Sequence, residues 1–136
     1  MVLAGAKGWR DRALERELDA AKEQGVLVVG YVEDALMPIL YAAADALIFP
    51  SMYEGFGMPV LEARACGTRI VVSDVPELRE SGGPHAIVVK PTIESLSAGI
   101  VEAIKSPRVI EECLQSRHAW SVVAAPLIRL LAGVAG

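Results

Sequence analysis

What this chain lacks narrows its function first. It has no basic stretch: 13 Lys and Arg stand against 17 Asp and Glu, for a net charge of -4. Binding nucleic acid requires clustered cations to neutralise phosphates, so no nucleic-acid partner is expected. Histidine is scarce, with only His85 and His118, and no cluster of His, Cys and carboxylates has metal-ligand spacing. No metal is therefore expected; no cofactor is expected either. Cys66 and Cys113 lie far apart and outside any C-x-x-C pattern, so they read as reduced thiols of a cytoplasmic protein. No apolar run reaches the roughly 20 clean residues of a membrane span. The longest, residues 119–136, is interrupted by Pro126 and Arg129 and reads as a packing helix, with membrane-surface contact the lesser option. The apolar run within residues 1–7 is too short for a signal peptide.

What is present is enough for one domain with a real core. Hydrophobic residues are 53% of 136 and charged residues 22%, the opposite of a disordered balance. Short β-branched runs alternate with helical periodicity, which predicts an α/β fold with a parallel sheet. Val2-Leu3-Ala4 reads as the end of a buried strand. Residues 9–23 carry Leu14, Leu18 and Ala21 at helical spacing and stop at Gly25. Residues 26–29 form a continuous apolar run, which predicts a strand buried on both faces. Asp34 is a plausible N-cap for a helix with the stripe Leu36, Leu40 and Ala43, with Pro38 in its first turn. Residues 46–49 read as a further buried strand, stopped by Pro50.

Beyond Pro50 lies a polar, glycine-rich loop over residues 51–58. Pro59 suits the first position of a helix running to about Cys66 and ended by Gly67. Residues 70–72 predict a strand, 76–80 a short helix, 82–84 a turn and 86–89 the last strand. Residues 93–104 are amphipathic through Leu96, Ile100 and Ile104. Ser106-Pro107 breaks the chain, and Ile110 with Leu114 marks one more helix. The expected division is a domain over 1–118 and an apolar helical tail over 119–136.

In an open parallel sheet, ligands bind beyond the carboxyl ends of the strands. The most unusual strand-end loop holds Gly55 and Gly57 just before a helix start. Glycine admits close backbone approach, and helix N-terminal N–H groups favour an anion such as phosphate. A tight strand-to-helix turn with no ligand explains the glycines equally well. Two carboxylates frame the loop. Glu62 is placed in the first helical turn, where its charge is favourable for structural reasons alone. Glu54 beside an anion site is unfavourable unless it accepts hydrogen bonds from hydroxyl groups. The combination suits a polyhydroxyl ligand that carries phosphate.

Glu54 and Glu62, with seven residues between them, match the Glu-x7-Glu motif of retaining GT-B glycosyltransferases. The run from Tyr53 through Glu54, Gly55, Phe56, Gly57, Met58, Pro59, Val60, Leu61 and Glu62 to Ala63 resembles the signature of glycosyltransferase family 4. So do Ala65-Cys66-Gly67-Thr68, the segment 73–80, Gly30-Tyr31-Val32 and the segment 40–46. The resemblance covers roughly residues 2–118. It implies a Rossmann-like parallel sheet flanked by helices, the C-terminal half of a GT-B fold. It further implies that Glu62 accepts hydrogen bonds from the donor's ribose and that Glu54 is the catalytic residue beside the donor sugar. Gly55, Phe56, Gly57, Met58 and Pro59 complete the donor-binding loop, with Tyr31 and Val32 near the base. Transfer in that family retains anomeric configuration through front-face attack and needs no metal at the catalytic step.

Departures from the family bound this expectation. The acceptor-binding domain has no counterpart here, nor has the strand and helix that open the donor domain and bring an Arg and a Lys to the diphosphate. The sheet is expected to be incomplete at its N-terminus, and the Val2 and Ile48 strands to face a gap or close up against each other. The chain accordingly reads as a fragment, a truncated product or part of a split enzyme, partnered by a nucleotide-sugar donor and by the missing domain or another chain. Peripheral membrane contact would come through that domain. Arg64 stands where Met is common and Lys90 where Asp is common. The competing reading is a non-catalytic nucleotide-sensing or interaction module of the same fold. A nucleotide-sugar epimerase half fits the 53–62 run less well.

Overall fold

The computed structural model describes residues 1–6 and 12–109, with the Arg12 side chain outside that description. The chain divides into two compact units, Met1–Ile39 and Leu40–Gly136. In the first, strand β1 (Val2–Ala4) pairs in parallel with β2 (Leu27–Gly30), and α1 (Arg12–Glu23) makes the connection. Val2 faces Leu27 and Leu3 faces Val28, but Ala4 faces Gly30, so Val29 is an extra residue that bulges the ladder. The expectation that residues 26–29 are buried on both faces is overturned. Leu27 is 61% exposed, and Val28 and Val29 are exposed as well. An apolar run is buried only where layers cover both faces, and this strand has a single strand partner. Leu14 is exposed too, while Leu18 and Ala21 are half-buried, so the α1 stripe is covered only toward its C-terminal end.

Helix α2 (Met37–Ala43) follows, starting three residues after Asp34. Pro38 is in its first turn as expected, while Leu36 precedes the helix and is exposed. The second unit holds β3 (Ala46–Phe49), α3 (Met58–Ala65), β4 (Arg69–Ser73), α4 (Pro76–Gly82), β5 (Ile87–Val89) and α5 (Ile93–Lys105). Its sheet is parallel in the order β3-β4-β5. The five strands thus fall into two sheets, one in each unit.

Central β4 explains the core. Ile70, Val71, Val72 and Ser73 are all buried, whereas β3, with one neighbour, is half-buried and not fully enclosed as expected. Side chains alternate across a strand. Ile70 and Val72 approach Gly82 of α4, and Val71 approaches Gly99 of α5. A Cβ at Gly99 would stand 2.9 Å from Val89 and 3.1 Å from Val71, so glycine lets α5 lie close on the sheet. Gly99 and Ala103 form the inner line of α5, with Leu96 and Ile100 half-buried beside it. Ile104, expected on the apolar face, is exposed. Thr92 caps α5 by accepting from the Ser95 N–H at 3.3 Å.

Helix α3 ends in a Schellman motif. Thr68 N–H bonds Ala63 O and Gly67 N–H bonds Arg64 O, both at 3.0 Å, with Gly67 at φ 71°. This fixes where β4 begins. Beyond α5, Arg108 donates to the carbonyls of Ala42 and Ala44 at the C-terminal end of α2, where a cation is favoured. The expected helix at Ile110 and Leu114 and the tail over 119–136 lie outside the described residues, as do Lys7, Trp9, Arg10, Cys113, His118 and Trp120. Cys66 is a free, half-buried thiol. No helix among the described residues is long and apolar enough to cross a membrane.

Candidate functional site

The β3–α3 connection stands at the carboxyl end of β3, where a parallel sheet presents its ligand loops. Ser51 Oγ donates to Tyr53 O at 3.0 Å and turns the chain just after Pro50. Met52, Tyr53 and Met58 are exposed, Tyr53 at 90%, while Glu54 is half-buried. Gly57 is the N-cap of α3 at φ 74°, ψ 49°. Helix α3 begins at Met58, so Pro59 occupies the second helical position, not the first as expected. Glu62 therefore lies in the second turn, not the first, and the helix has no acidic residue in its first turn. The simple dipole account of Glu62 weakens accordingly, because that effect fades beyond the first turn.

The two glycines have different jobs. A Cβ on Gly57 would stand 2.7 Å from Leu78 Cδ2 and 3.0 Å from Ser81 Oγ, so its bareness serves packing against α4. A Cβ on Gly55 would meet nothing within 4 Å. Its bareness is not required by packing. The N–H groups of Val60 and Leu61 both bond Gly57 O, and Pro59 has none. The first turn therefore offers fewer donors than a bare helix end does. Met58 keeps one.

A partner that sequence reasoning missed holds Glu62. Tyr41 of α2 is only 5% exposed, and its hydroxyl donates to Glu62 Oε2 at 3.2 Å. Burial first, then the charge of Glu62 and the bond to it, push the Tyr41 phenol up to about 12, with a smaller push from Cys66. Thr68 Oγ1 donates to Tyr41 O at 2.7 Å. The signal for Tyr41 was present: a tyrosine inside an apolar helix brings a hydroxyl that must find a partner when buried. Tyr31 and Val32 belong to the first unit, just beyond β2, with Tyr31 exposed and Val32 half-buried.

Around this core, Arg64 is buried, donates from Nη1 to Ser81 O at 3.1 Å, and lies directly under Gly83. It joins α3 to the end of α4. Asp74, after β4, pairs with Arg79 at 2.5 Å, both partly exposed. Arg79→Ala should change the unfolding free energy by no more than about 1 kcal/mol, read from urea midpoints, because an exposed pair gains little in water. A cavity of about 500 Å³ is lined by Arg64, Thr68, Ile70, Ala86 and Ile87 among others. It opens where β4 and β5 begin, and no expected site residue lines it. No group of His, Cys, Asp and Glu among the described residues could hold a metal.

Parallel strands alternating with helices define a Rossmann-like α/β domain. The chain matches the family Glycosyl transferases group 1 over residues 1–121 and belongs to it, as the C-terminal part of a GT-B arrangement. It is similar to O-antigen chain mannosyltransferase B of Escherichia coli, with 38% identity over 107 residues, 77% of this chain and 28% of that protein. It is 33% identical to mannosylfructose-phosphate synthase of Agrobacterium fabrum over 129 residues, 88% of this chain and 28% of the relative. Glycogen synthase of Mycobacterium tuberculosis is 31% identical over 121 residues, 79% of this chain and 29% of that protein. The chain spans less than a third of the length of these relatives.

Proposed function

We propose that this chain binds the donor of a glycosyltransferase, a nucleotide-diphosphate sugar, for transfer with retention of configuration. The observation that carries the reading is Glu62, exposed on α3 yet held by the buried Tyr41 hydroxyl, eight positions after the half-buried Glu54 on the adjoining loop. The bond satisfies the buried hydroxyl and at the same time fixes a carboxylate at the surface, where a ligand could reach it. In this reading Glu62 accepts from the ribose hydroxyls, and Glu54 is the catalytic residue beside the donor sugar. Gly55, Phe56, Gly57, Met58 and Pro59 line the donor.

Transfer builds positive charge on the sugar ring and negative charge on the departing diphosphate. Fixed N–H donors such as that of Met58 stabilise the latter, and Glu54 the former. The acceptor is brought by another domain or chain, and attack comes from the face the diphosphate leaves. Mannosyl transfer is the first chemistry to try, since several relatives are named for it.

Saturation-transfer NMR of the chain with UDP-, GDP- and ADP-sugars tests this. Signal on ribose and sugar protons is expected for one donor. Glu62→Ala should weaken that donor at least about tenfold, the size of one charge-assisted hydrogen bond or more. A folded chain that gives no signal with any donor overturns the reading in favour of a non-catalytic interaction module.

A further inference from the structure

We propose that Tyr41 is a positioning residue, which holds the Glu62 carboxylate in one orientation so that its second oxygen meets the ribose hydroxyls of a bound nucleotide. The inference rests on the donor-binding reading and deepens it.

Glu62 is exposed on the second turn of α3, and a free surface glutamate samples many rotamers. Binding through it would require freezing that motion, which weakens affinity. Tyr41 removes much of the freedom beforehand. Its ring is buried, and its hydroxyl takes Oε2. Oε1 has no hydrogen-bond partner among the described residues and remains for a ligand hydroxyl.

Tyr41 is itself held at both ends. Its side chain is tied to Glu62 within α3, and its carbonyl accepts from Thr68, the residue after the Gly67 turn that ends α3. The carboxyl-terminal part of α2 and both flanks of α3 are thereby clasped. A hydroxyl so placed cannot follow a wandering carboxylate, so the carboxylate is the group that is oriented. At 3.2 Å the bond is long for O–H···O, which points to a modest gain in affinity.

The experiment uses the full 136-residue chain, Tyr41→Phe and Glu62→Gln. Affinities are measured by calorimetry for UDP, GDP and ADP, and for the 2′,3′-dideoxy form of whichever binds. Tyr41→Phe should weaken the ribose form roughly three- to tenfold, as expected for one long hydrogen bond, and leave the dideoxy form unchanged. Equal weakening of both forms, or of neither, overturns the proposal, because a merely structural role does not distinguish ribose hydroxyls.

A second measurement separates this failure from that of the donor-binding reading. Among the described residues, the charged groups acting on the Tyr41 hydroxyl are Glu62 first and Cys66 after it. In Glu62→Gln, the Tyr41 phenol should ionise at lower pH than in the parent, followed by its ¹³Cζ resonance. If no nucleotide binds the parent, the donor-binding reading falls. A downward shift would then still support the hold on Glu62, and an unmoved titration would overturn it.

Discussion

Gly57→Ala should lower the unfolding free energy by roughly 3 kcal/mol, from two separable causes. The backbone at Gly57 is left-handed, with φ 74° and ψ 49°. An L-residue there costs about 1–2 kcal/mol. The added methyl would also stand 2.7 Å from Leu78 Cδ2, and Leu78 is fully buried, so its side chain must shift within a packed core. Overpacking of this kind costs about 1–3 kcal/mol. Gly55→Ala is the control. Its Cβ meets nothing within 4 Å, and Gly55 is not among the glycines with positive φ. It should change stability by less than about 0.5 kcal/mol. Urea unfolding followed by circular dichroism compares the two. Equal costs would mean that the α3–α4 contact does not discriminate between them.

This difference between two neighbouring glycines shows what a one-dimensional reading can and cannot see. Strand positions were legible because β-branched runs bounded by Pro50, Gly67 and Gly83 have few alternatives, and β1 and β3 occupy the residues expected of them. The α3 terminator was legible because Gly67 supplies a backbone conformation that other residues resist. The N-terminal boundary was one residue off. Pro59 is tolerated at either of the first two positions, and the deciding factor is the packing of Gly57 on Leu78, a contact 21 positions away.

Burial was legible only where both layers follow from local pattern. Residues 27–29 have the same apolar character as residues 70–72, yet the first set is exposed and the second enclosed. Nothing within either run distinguishes them, since enclosure depends on what packs above and below. In the site, Glu54 and Glu62 stood out because charge beside a glycine loop is conspicuous. Tyr41 did not, because its helix reads as an apolar stripe and its partner lies in another element. The polar end of a buried tyrosine is a local clue to a distant acceptor, but the sequence does not name the acceptor.

Alkaline titration should expose the Tyr41 bond directly. Folding pushes the phenol up to about 12 from an ordinary value of 10.0, burial acting first and Glu62 next. The folded state thus holds the phenolic proton more tightly than the unfolded chain does. The stabilisation is fully present below pH 10 and is lost as pH rises from about 10 to about 12. Two pH units correspond to roughly 2–3 kcal/mol. Tyr41→Phe lacks the titrating group, so its stability should fall more shallowly over that window. The difference between parent and variant, read from urea midpoints between pH 9 and 11.5, isolates Tyr41 from every other alkaline group. Parallel curves would mean that the phenol is no harder to ionise folded than unfolded. Glu62→Gln should give an intermediate slope, because burial remains while the opposing charge is gone. With its titration displaced this far upward, Tyr41 stays protonated at neutral pH and acts toward Glu62 as a constant donor. Any pH dependence of donor binding near neutrality must therefore arise from groups other than the Tyr41 phenol.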